Sequence, residues 1–370
     1  MLGGSRGARR REVKKAILIG ISALLLLLVI AGALFWYFMS KPLYEAGMVR
    51  AGKNLRASLT PPAQSGDENF WSVEQDIKLY HFSDGVGKSV LVVHGGPGYP
   101  IRNPLPGLKP LTERYKFIYY HQRGCGKSTR PIDRFASFNY FENMKDLDRT
   151  LGIGAQIADI ERIRRILGEE KLTILGHSFG AFLASLYAAE FPEHVRALIL
   201  VAPAEVLVMP VEGGGLFEEV GRLLPAGMKS EYAHFLRRYL DFGRIFSKSD
   251  SELAALNAEM AKYYRAAAAA KNLSVPEENE PNENGGWMVY AMYFSMGKRH
   301  DYREALRVVK APVLVIHGEK DLQRDRASRA YVEAFPNSSF QIIKNAGHFP
   351  FSEQPEAFAA VTGKFLDEMH

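Results

Sequence analysis

The chain has 370 residues, 47% hydrophobic and 24% charged, with a formal net charge of +6. Those values exclude a disordered or fibrous chain and leave room for one large α/β domain with an insertion, or for two modest domains. Five of the six excess positive charges fall in residues 1–15, where Arg6, Arg9, Arg10, Arg11, Lys14 and Lys15 face only Glu12, so the body lacks the basic character that nucleic acid requires.

The basic tail, residues 1–15, runs into residues 16–39, AILIGISALLLLLVIAGALFWYFM, which hold no charge in 24 positions. As a helix, this run spans the ~30 Å hydrocarbon core of a bilayer with some tilt. Trp36 and Tyr37 stand at its far end, where aromatic rings favour the interface. The expectation is a single-pass transmembrane signal-anchor, with the N-terminus cytosolic and the remainder on the extracytosolic side, partnered with the membrane through this helix. A cleaved signal peptide is the rival, since Ala31-Gly32-Ala33 resembles a cleavage site; the apolar run is longer than a usual signal core, which favours the anchor. Residues 40–72 mix proline, glycine and polar residues (SLTPPAQSGDENFW) and read as a linker and lead-in segment.

Strand-like runs follow at 89–96, 115–122, 171–178, 195–204, 311–318 and 338–345, short and rich in Val, Ile or Tyr. Several are almost continuously apolar, as expected of strands covered on both faces of a parallel sheet. Helical patterns lie between them. Ile153, Ile157, Ile160 and Ile163 recur at spacings of three and four, as do Phe358, Val361 and Phe365. This alternation predicts a mostly parallel, doubly wound α/β sheet, its first part at 73–205 and its second at 304–370. Residues 206–303 interrupt it with a helical insertion that includes ELAALNAEMAKYYRAAAAAKNL and the acidic loop PEENEPNENGG.

The stretch YYHQRGCGKST, 119–129, resembles a phosphate-binding loop, but the position of that motif's first glycine is His121. No nucleotide, metal or cofactor site is expected. Cys125, the only cysteine, cannot form an internal disulfide and reads as a half-buried small residue, with a reactive thiol as the alternative.

ILGHSFG, 174–180, follows a strand run and precedes a helical one, the context a G-x-S-x-G nucleophile turn requires. Ser178 is then the candidate nucleophile. A serine hydroxyl needs a base, and the base needs an orienting acid, in the chain order serine, acid, histidine. His348, in KNAGHFPF after the last strand run, is the candidate base; His317 precedes its turn and reads as structural. Asp321, in VIHGEKD, is the candidate acid, with Glu319 and Glu205 as competitors. A tetrahedral intermediate needs two N–H donors. Phe179, next to the nucleophile, is one. HGGPG, 94–98, offers the other from Gly96, with Gly95 as the alternative, since Pro97 has no N–H.

HGGPG, QRGCGKS, GHSFG, HGEKD and AGHF together resemble the proline iminopeptidase branch of the α/β-hydrolases over roughly residues 71–368. The resemblance implies an α/β-hydrolase fold with a helical cap at 206–303 and a serine hydrolase acting through an acyl-enzyme. In that family an aspartate usually stands where this chain has His121, and cap glutamates bind the substrate's free amino terminus. Of the acids Glu212, Glu218, Glu219 and Glu231, Glu218 and Glu219, beside Phe217, are the leading candidates for that role here.

Three functions follow. The leading one is an aminopeptidase of proline iminopeptidase type acting on short peptides. The second is an esterase or monoacylglycerol-type lipase, whose acyl-ester substrate would suit aromatic residues such as Trp287, Tyr290, Tyr293 and Phe294. The third is a catalytically silent fold used for binding. Epoxide hydrolase and dehalogenase chemistry is disfavoured, because those relatives place an aspartate where Ser178 stands.

Overall fold

The computed structural model describes residues 4–276 and 280–369, and within its first helix the side chains of residues 12, 14–30, 32 and 37. The chain divides into two units, Met1–Lys41 and Pro42–His370. The first is a single helix, α1 (Gly4–Ser40). Among the described residues no helix is long and apolar enough to cross a membrane. The expected transmembrane signal-anchor is therefore corrected, and with it the single-pass localisation, the extracytosolic placement and the membrane partner. Trp36, one of the two expected interface aromatics, lies outside the described side chains.

The described residues of the second unit hold ten strands: β1 (Phe70–Ser72), β2 (Lys78–Asp84), β3 (Lys88–Val93), β4 (Tyr115–Tyr120), β5 (Leu172–His177), β6 (Val195–Val201), β7 (Val208–Met209), β8 (His300–Asp301), β9 (Val313–Gly318) and β10 (Ser338–Ile343). β7 and β8 pair as a separate antiparallel ribbon, and the others form one sheet in the order β1-β2-β4-β3-β5-β6-β9-β10. β1 and β2 pair antiparallel with their neighbours, and every other pairing in the sheet is parallel. All six strands expected from the sequence form. β1 and β2 gave no such signal because β1 has three residues and only Leu79 of β2 is fully buried.

Helices α2 (Tyr140–Leu151), α3 (Ile153–Ile166) and α4 (Phe179–Glu190) lie between β4 and β6; α5 (Leu216–Leu223), α6 (Ala226–Tyr239), α7 (Asp250–Ala269) and α8 (Trp287–Met296) fall between β6 and β9. The short α9 (Arg303–Leu306), then α10 (Asp325–Ala334), α11 (Pro350–Glu353) and α12 (Pro355–Glu368) complete the set.

Alternation along the central strands decides which core each side chain joins. Leu91, Val93, Ile174, Leu198, Leu200, Val313 and Val315 pack with α3 and α4. Val90, Val92, Leu175, Ile199, Val201, Leu314 and Ile316 pack on the other face with Phe358, Phe365 and Leu366 of α12. Both faces are covered, which is why these strands read as unbroken apolar runs. α5–α8 share a third, aromatic core built on Tyr232, Phe235, Tyr239, Tyr263, Trp287 and Tyr290.

Candidate active site

The turn between β5 and α4 presents Ser178 with φ 54° and ψ −119°. A non-glycine residue there carries strain of about 1–3 kcal/mol, which the surroundings must hold in place. They do so from both sides: Ser178 N–H donates to Val201 O at 2.9 Å, and Ser178 O accepts from Ala204 N–H at 3.1 Å. The flanking glycines are steric necessities. A Cβ on Gly176 would stand 2.6 Å from Ala181 Cα, and one on Gly180 would strike the carbonyls of Val93 and His94 at the end of β3.

Two neighbouring strand ends bring the other candidates to this turn. His348, after β10, has Nε2 2.9 Å from Ser178 Oγ. Its Nδ1 stands 2.9 Å from Asp321 Oδ2. The loops after β9 and β10 are stitched by Lys320 N–H to Ala346 O at 2.8 Å and Glu319 N–H to Ile343 O at 3.0 Å. Ser178, Asp321 and His348 are all buried. Burial alone would raise the Asp321 pKa, but the neighbouring His348, their shared hydrogen bond and the Gln323 N–H bring it below the usual carboxylate value. Asp321 is thus held as the anion that an adjacent imidazolium needs.

The competing acids are engaged elsewhere. Glu319 Oε2 accepts Asn345 N–H at 3.0 Å, and Glu205 Oε1 accepts Arg326 Nε–H at 3.0 Å. His317 points its Nδ1 at Ser328 Oγ, 3.0 Å away, consistent with a structural part. Glu218 Oε2 accepts Gly215 N–H at 2.8 Å and closes the start of α5. Glu219 pairs with Arg222 at 2.6 Å. Neither glutamate is left as an unpartnered carboxylate.

The HGGPG turn lies against Ser178: a Cβ on Gly95 would be 2.8 Å from Ser178 Cβ. This sets Gly95 against Ser178, with Gly96 next along the turn and Phe179 next to Ser178 in the chain. His94 anchors the turn beneath. Its Nε2 accepts Gln122 N–H at 3.1 Å, and its carbonyl accepts Gln122 Nε2–H at 2.7 Å. Burial lowers its pKa to about 3, so the ring is neutral.

The QRGCGKS loop is a scaffold. Arg123 is fully buried and donates to both Asp159 oxygens and to Glu74 at 2.7 Å. His121 fits where the related family has an aspartate because its neutral ring makes one bond of each kind. Its Nε2–H donates to Ile101 O at 3.1 Å, and its Nδ1 accepts Lys127 N–H at 3.0 Å. Burial lowers its pKa to about 4, and Gly126 leaves the space its ring fills. Cys125 is fully buried, not half-buried, and burial pushes its pKa up to about 12, which makes it inert. Among the described residues, no cluster of three or more His, Cys, Asp or Glu is arranged to hold a metal.

Several residues around the site gave no sequence signal of their own. Gln323 N–H donates to Asp321 Oδ1 at 3.0 Å while its Oε1 accepts Glu205 N–H at 2.8 Å. Lys271, just past α7, donates to Asp321 O at 2.8 Å. Tyr264 of α7 stands with its ring 6.2 Å from that of His348. The two residues following Asp321 and the end of a long alanine-rich helix carry no motif, and only proximity in the fold marks them.

A parallel sheet crowned by a strand–turn–helix serine, with an acid and a histidine on later strand ends, defines the alpha/beta hydrolase fold, whose sequence profile matches residues 88–355. The chain belongs to that family. Within it, the chain is a hydrolase resembling proline iminopeptidases. The proline iminopeptidase of Heyndrickxia coagulans is 28% identical over 296 residues, covering 77% of this chain and 93% of the relative. Among solved structures, the proline iminopeptidase of Mycobacterium smegmatis superposes with a TM-score of 0.52 at 20% identity, covering 80% of this chain and 96% of that one. A thermophilic esterase from Thermogutta terrifontis matches as well, with a TM-score of 0.51 at 21% identity over 82% of this chain and 97% of that one. The two structural likenesses speak for the fold alone.

Proposed function

We propose that this chain is a serine aminopeptidase of proline iminopeptidase type, releasing the N-terminal residue of short peptides through an acyl-enzyme. The observation that carries the reading is the continuous chain of contacts from Ser178 Oγ to His348 Nε2, and from His348 Nδ1 to Asp321 Oδ2, each 2.9 Å. In this reading His348 takes the proton of Ser178 as Oγ attacks the scissile carbonyl. Asp321 holds the imidazole in the Nδ1–H tautomer and stabilises the imidazolium. The N–H groups of Phe179 and Gly96 receive the oxyanion. His348 then protonates the leaving amine, and water, deprotonated by His348, releases the acyl group. The helical insertion from α5 to α8 serves as a cap over the strand ends. The curated relatives carrying the proline iminopeptidase name support the substrate class.

A second reading, an esterase or monoacylglycerol-type lipase with the same three residues, is favoured by one observation: Glu218 and Glu219 are both engaged within α5. A binding protein without activity is disfavoured by the intact hydrogen-bonded trio. The deciding experiment compares a free prolyl anilide, its N-acetylated form and p-nitrophenyl acyl esters. Turnover of the free amine but not the acetylated form is expected. Equal turnover of the two, or turnover of fatty acyl esters alone, replaces the aminopeptidase with the esterase.

A further inference from the structure

His348 sits on a loop, yet the proposed chemistry needs its ring fixed to a fraction of an ångström. The bond to Asp321 orients the ring but does not anchor the backbone beneath it. Three other hydrogen bonds do. His177 Nε2–H donates to His348 O at 2.8 Å. Glu353 Oε2 accepts Gly347 N–H at 2.7 Å and Phe349 N–H at 3.1 Å, the amides on either side of His348. We propose that His177 and Glu353 are positioning residues that together clamp the backbone of His348.

Each residue is placed for this by its surroundings. His177 is the last residue of β5, directly before Ser178, so the stretch that presents the nucleophile also grips the base. Its ring is buried among His348, Phe349 and Phe351, with centroids 4.9, 5.3 and 5.0 Å away. A carbonyl acceptor requires the Nε2–H tautomer, and a ring so enclosed stays neutral, so the donor is permanent. Glu353 ends the single turn α11, which folds back over the loop. Gly347 makes the approach possible: a Cβ there would stand 3.1 Å from Glu353 Oε1 and closer still to Leu273. Among the described hydrogen bonds, neither residue binds Ser178 Oγ or a ring nitrogen of His348. Their effect passes through the peptide groups of 347–349 to the distance between His348 Nε2 and Ser178 Oγ. A misplacement of about 1 Å at a reacting pair lowers a rate about 100-fold.

The inference rests on the Ser178–His348–Asp321 reading, and the test separates the two. Full-length wild type, Ser178→Ala, His177→Phe, Glu353→Met and Glu353→Gln are compared by kcat and KM on the best substrate of the panel, by fluorophosphonate labelling, by thermal midpoint, and by the low-field proton resonance of the His348–Asp321 hydrogen bond. His177→Phe keeps the ring and loses the donor; Glu353→Met keeps the length and loses the acceptor. Both are expected to lower kcat about 10- to 100-fold, with KM within about twofold, and to weaken or broaden the low-field resonance. Glu353→Gln retains one amide oxygen able to accept both N–H groups and is expected to keep kcat within about threefold of wild type. Wild-type kcat in His177→Phe and Glu353→Met overturns the clamp, even if their thermal midpoints fall, since a structural role alone gives that result. Impairment of Glu353→Gln equal to that of Glu353→Met overturns it as well, because charge and not hydrogen bonding would then be the cause. Continued labelling and turnover in Ser178→Ala instead overturn the underlying assignment, whatever the clamp variants do.

Discussion

The strand-end loops and the helical insertion are built from different forces. In the loops at 94–98, 121–128, 176–180, 317–323 and 345–349, directional bonds dominate: the His94 carbonyl, the Gly347 amide and both the amide and the carbonyl of Ser178 and Phe349 have named partners. Between α5 and α8, rings meet rings instead. Phe246 stacks on Trp287 at 5.5 Å, Phe235 lies 5.1 Å from Tyr263, and Tyr239 lies 5.9 Å from Tyr290. Hydrogen bonds fix angle and distance, which proton transfer demands. Aromatic packing fixes volume and tolerates adjustment. Substitutions in the loops should therefore strike kcat, and substitutions in the insertion should strike substrate choice.

The largest expected effect breaks the first region outright. Ser178→Ala should lower kcat by about 10⁶-fold while leaving the unfolding midpoint nearly unchanged, because the hydroxyl makes no bond that the fold needs. A fluorophosphonate probe should label wild type and not the variant; equal labelling of the two would remove Ser178 from the reaction. Asp321→Asn should come next, at about 10⁴-fold, since an amide facing His348 Nδ1 favours the wrong tautomer. Glu205→Gln and Glu319→Gln should leave kcat within about threefold, their carboxylates being occupied by Arg326 and by the Asn345 amide. A collapse of activity in Glu205→Gln would move the acid to the end of β6.

A smaller effect sharpens the comparison at the joint between the regions. Asp148 of α2 accepts Ser295 Oγ–H from α8 and, at 2.6 Å, Asn54 Nδ2–H. Burial pushes its pKa up to about 6, against those bonds. A carboxyl raised in this way binds its proton more tightly folded than unfolded, where its value is near ~3.9. Its contribution to stability is therefore fully present below about pH 4 and is lost as pH rises through about 6, a change of about 2–3 kcal/mol. Asp148→Asn, with the Asn54 amide turned to accept, removes that dependence. The difference in urea midpoint between variant and wild type should widen in the variant's favour from pH 4 to pH 7. A constant difference across that range would show that Asp148 is not the titrating joint.

The same contrast explains what the sequence disclosed. Gly176, Ser178 and Gly180 were legible because a strained turn with a helix pressed on a strand admits few residues. Asp321 and His348 were legible because parallel strands deliver their C-terminal loops to one edge. β2 was not, because a half-exposed antiparallel strand with Tyr80, His81 and Phe82 partly buried leaves no apolar run. The long apolar stretch of α1 misled in the opposite direction, since hydropathy alone favoured a bilayer span that the described helix does not support. The partners of Glu218 and Glu219 were also out of reach. A capping bond to Gly215 and an ion pair with Arg222 need only α5 itself, and nothing in FEEVGR says whether such a carboxylate faces solvent, a partner or a substrate.

That last ambiguity defines the smallest and most discriminating effect. Glu219 has a side-chain exposure of 10%, whereas Arg222 is 66% exposed. The Arg222 bond, with a lesser opposing effect of burial, holds Glu219 below its usual carboxylate value, and Lys271 and Arg324 act in the same direction. A substrate ammonium that used Glu219 would have to share it with Arg222 or displace it. Displacement is cheap, because an ion pair with one exposed partner is worth about 0.2–1 kcal/mol. Arg222→Gln should then free the carboxylate and lower KM for a free prolyl anilide by up to about fivefold, and Glu219→Gln should raise it by a similar factor, both without change in kcat. The N-acetylated anilide and acyl esters carry no ammonium and should respond to neither change. Opposite shifts confined to the free amine assign amine recognition to α5. Shifts of the same sign for charged and uncharged substrates would make the pair a packing element of the insertion and would leave the aromatic wall, not a carboxylate, to choose the substrate.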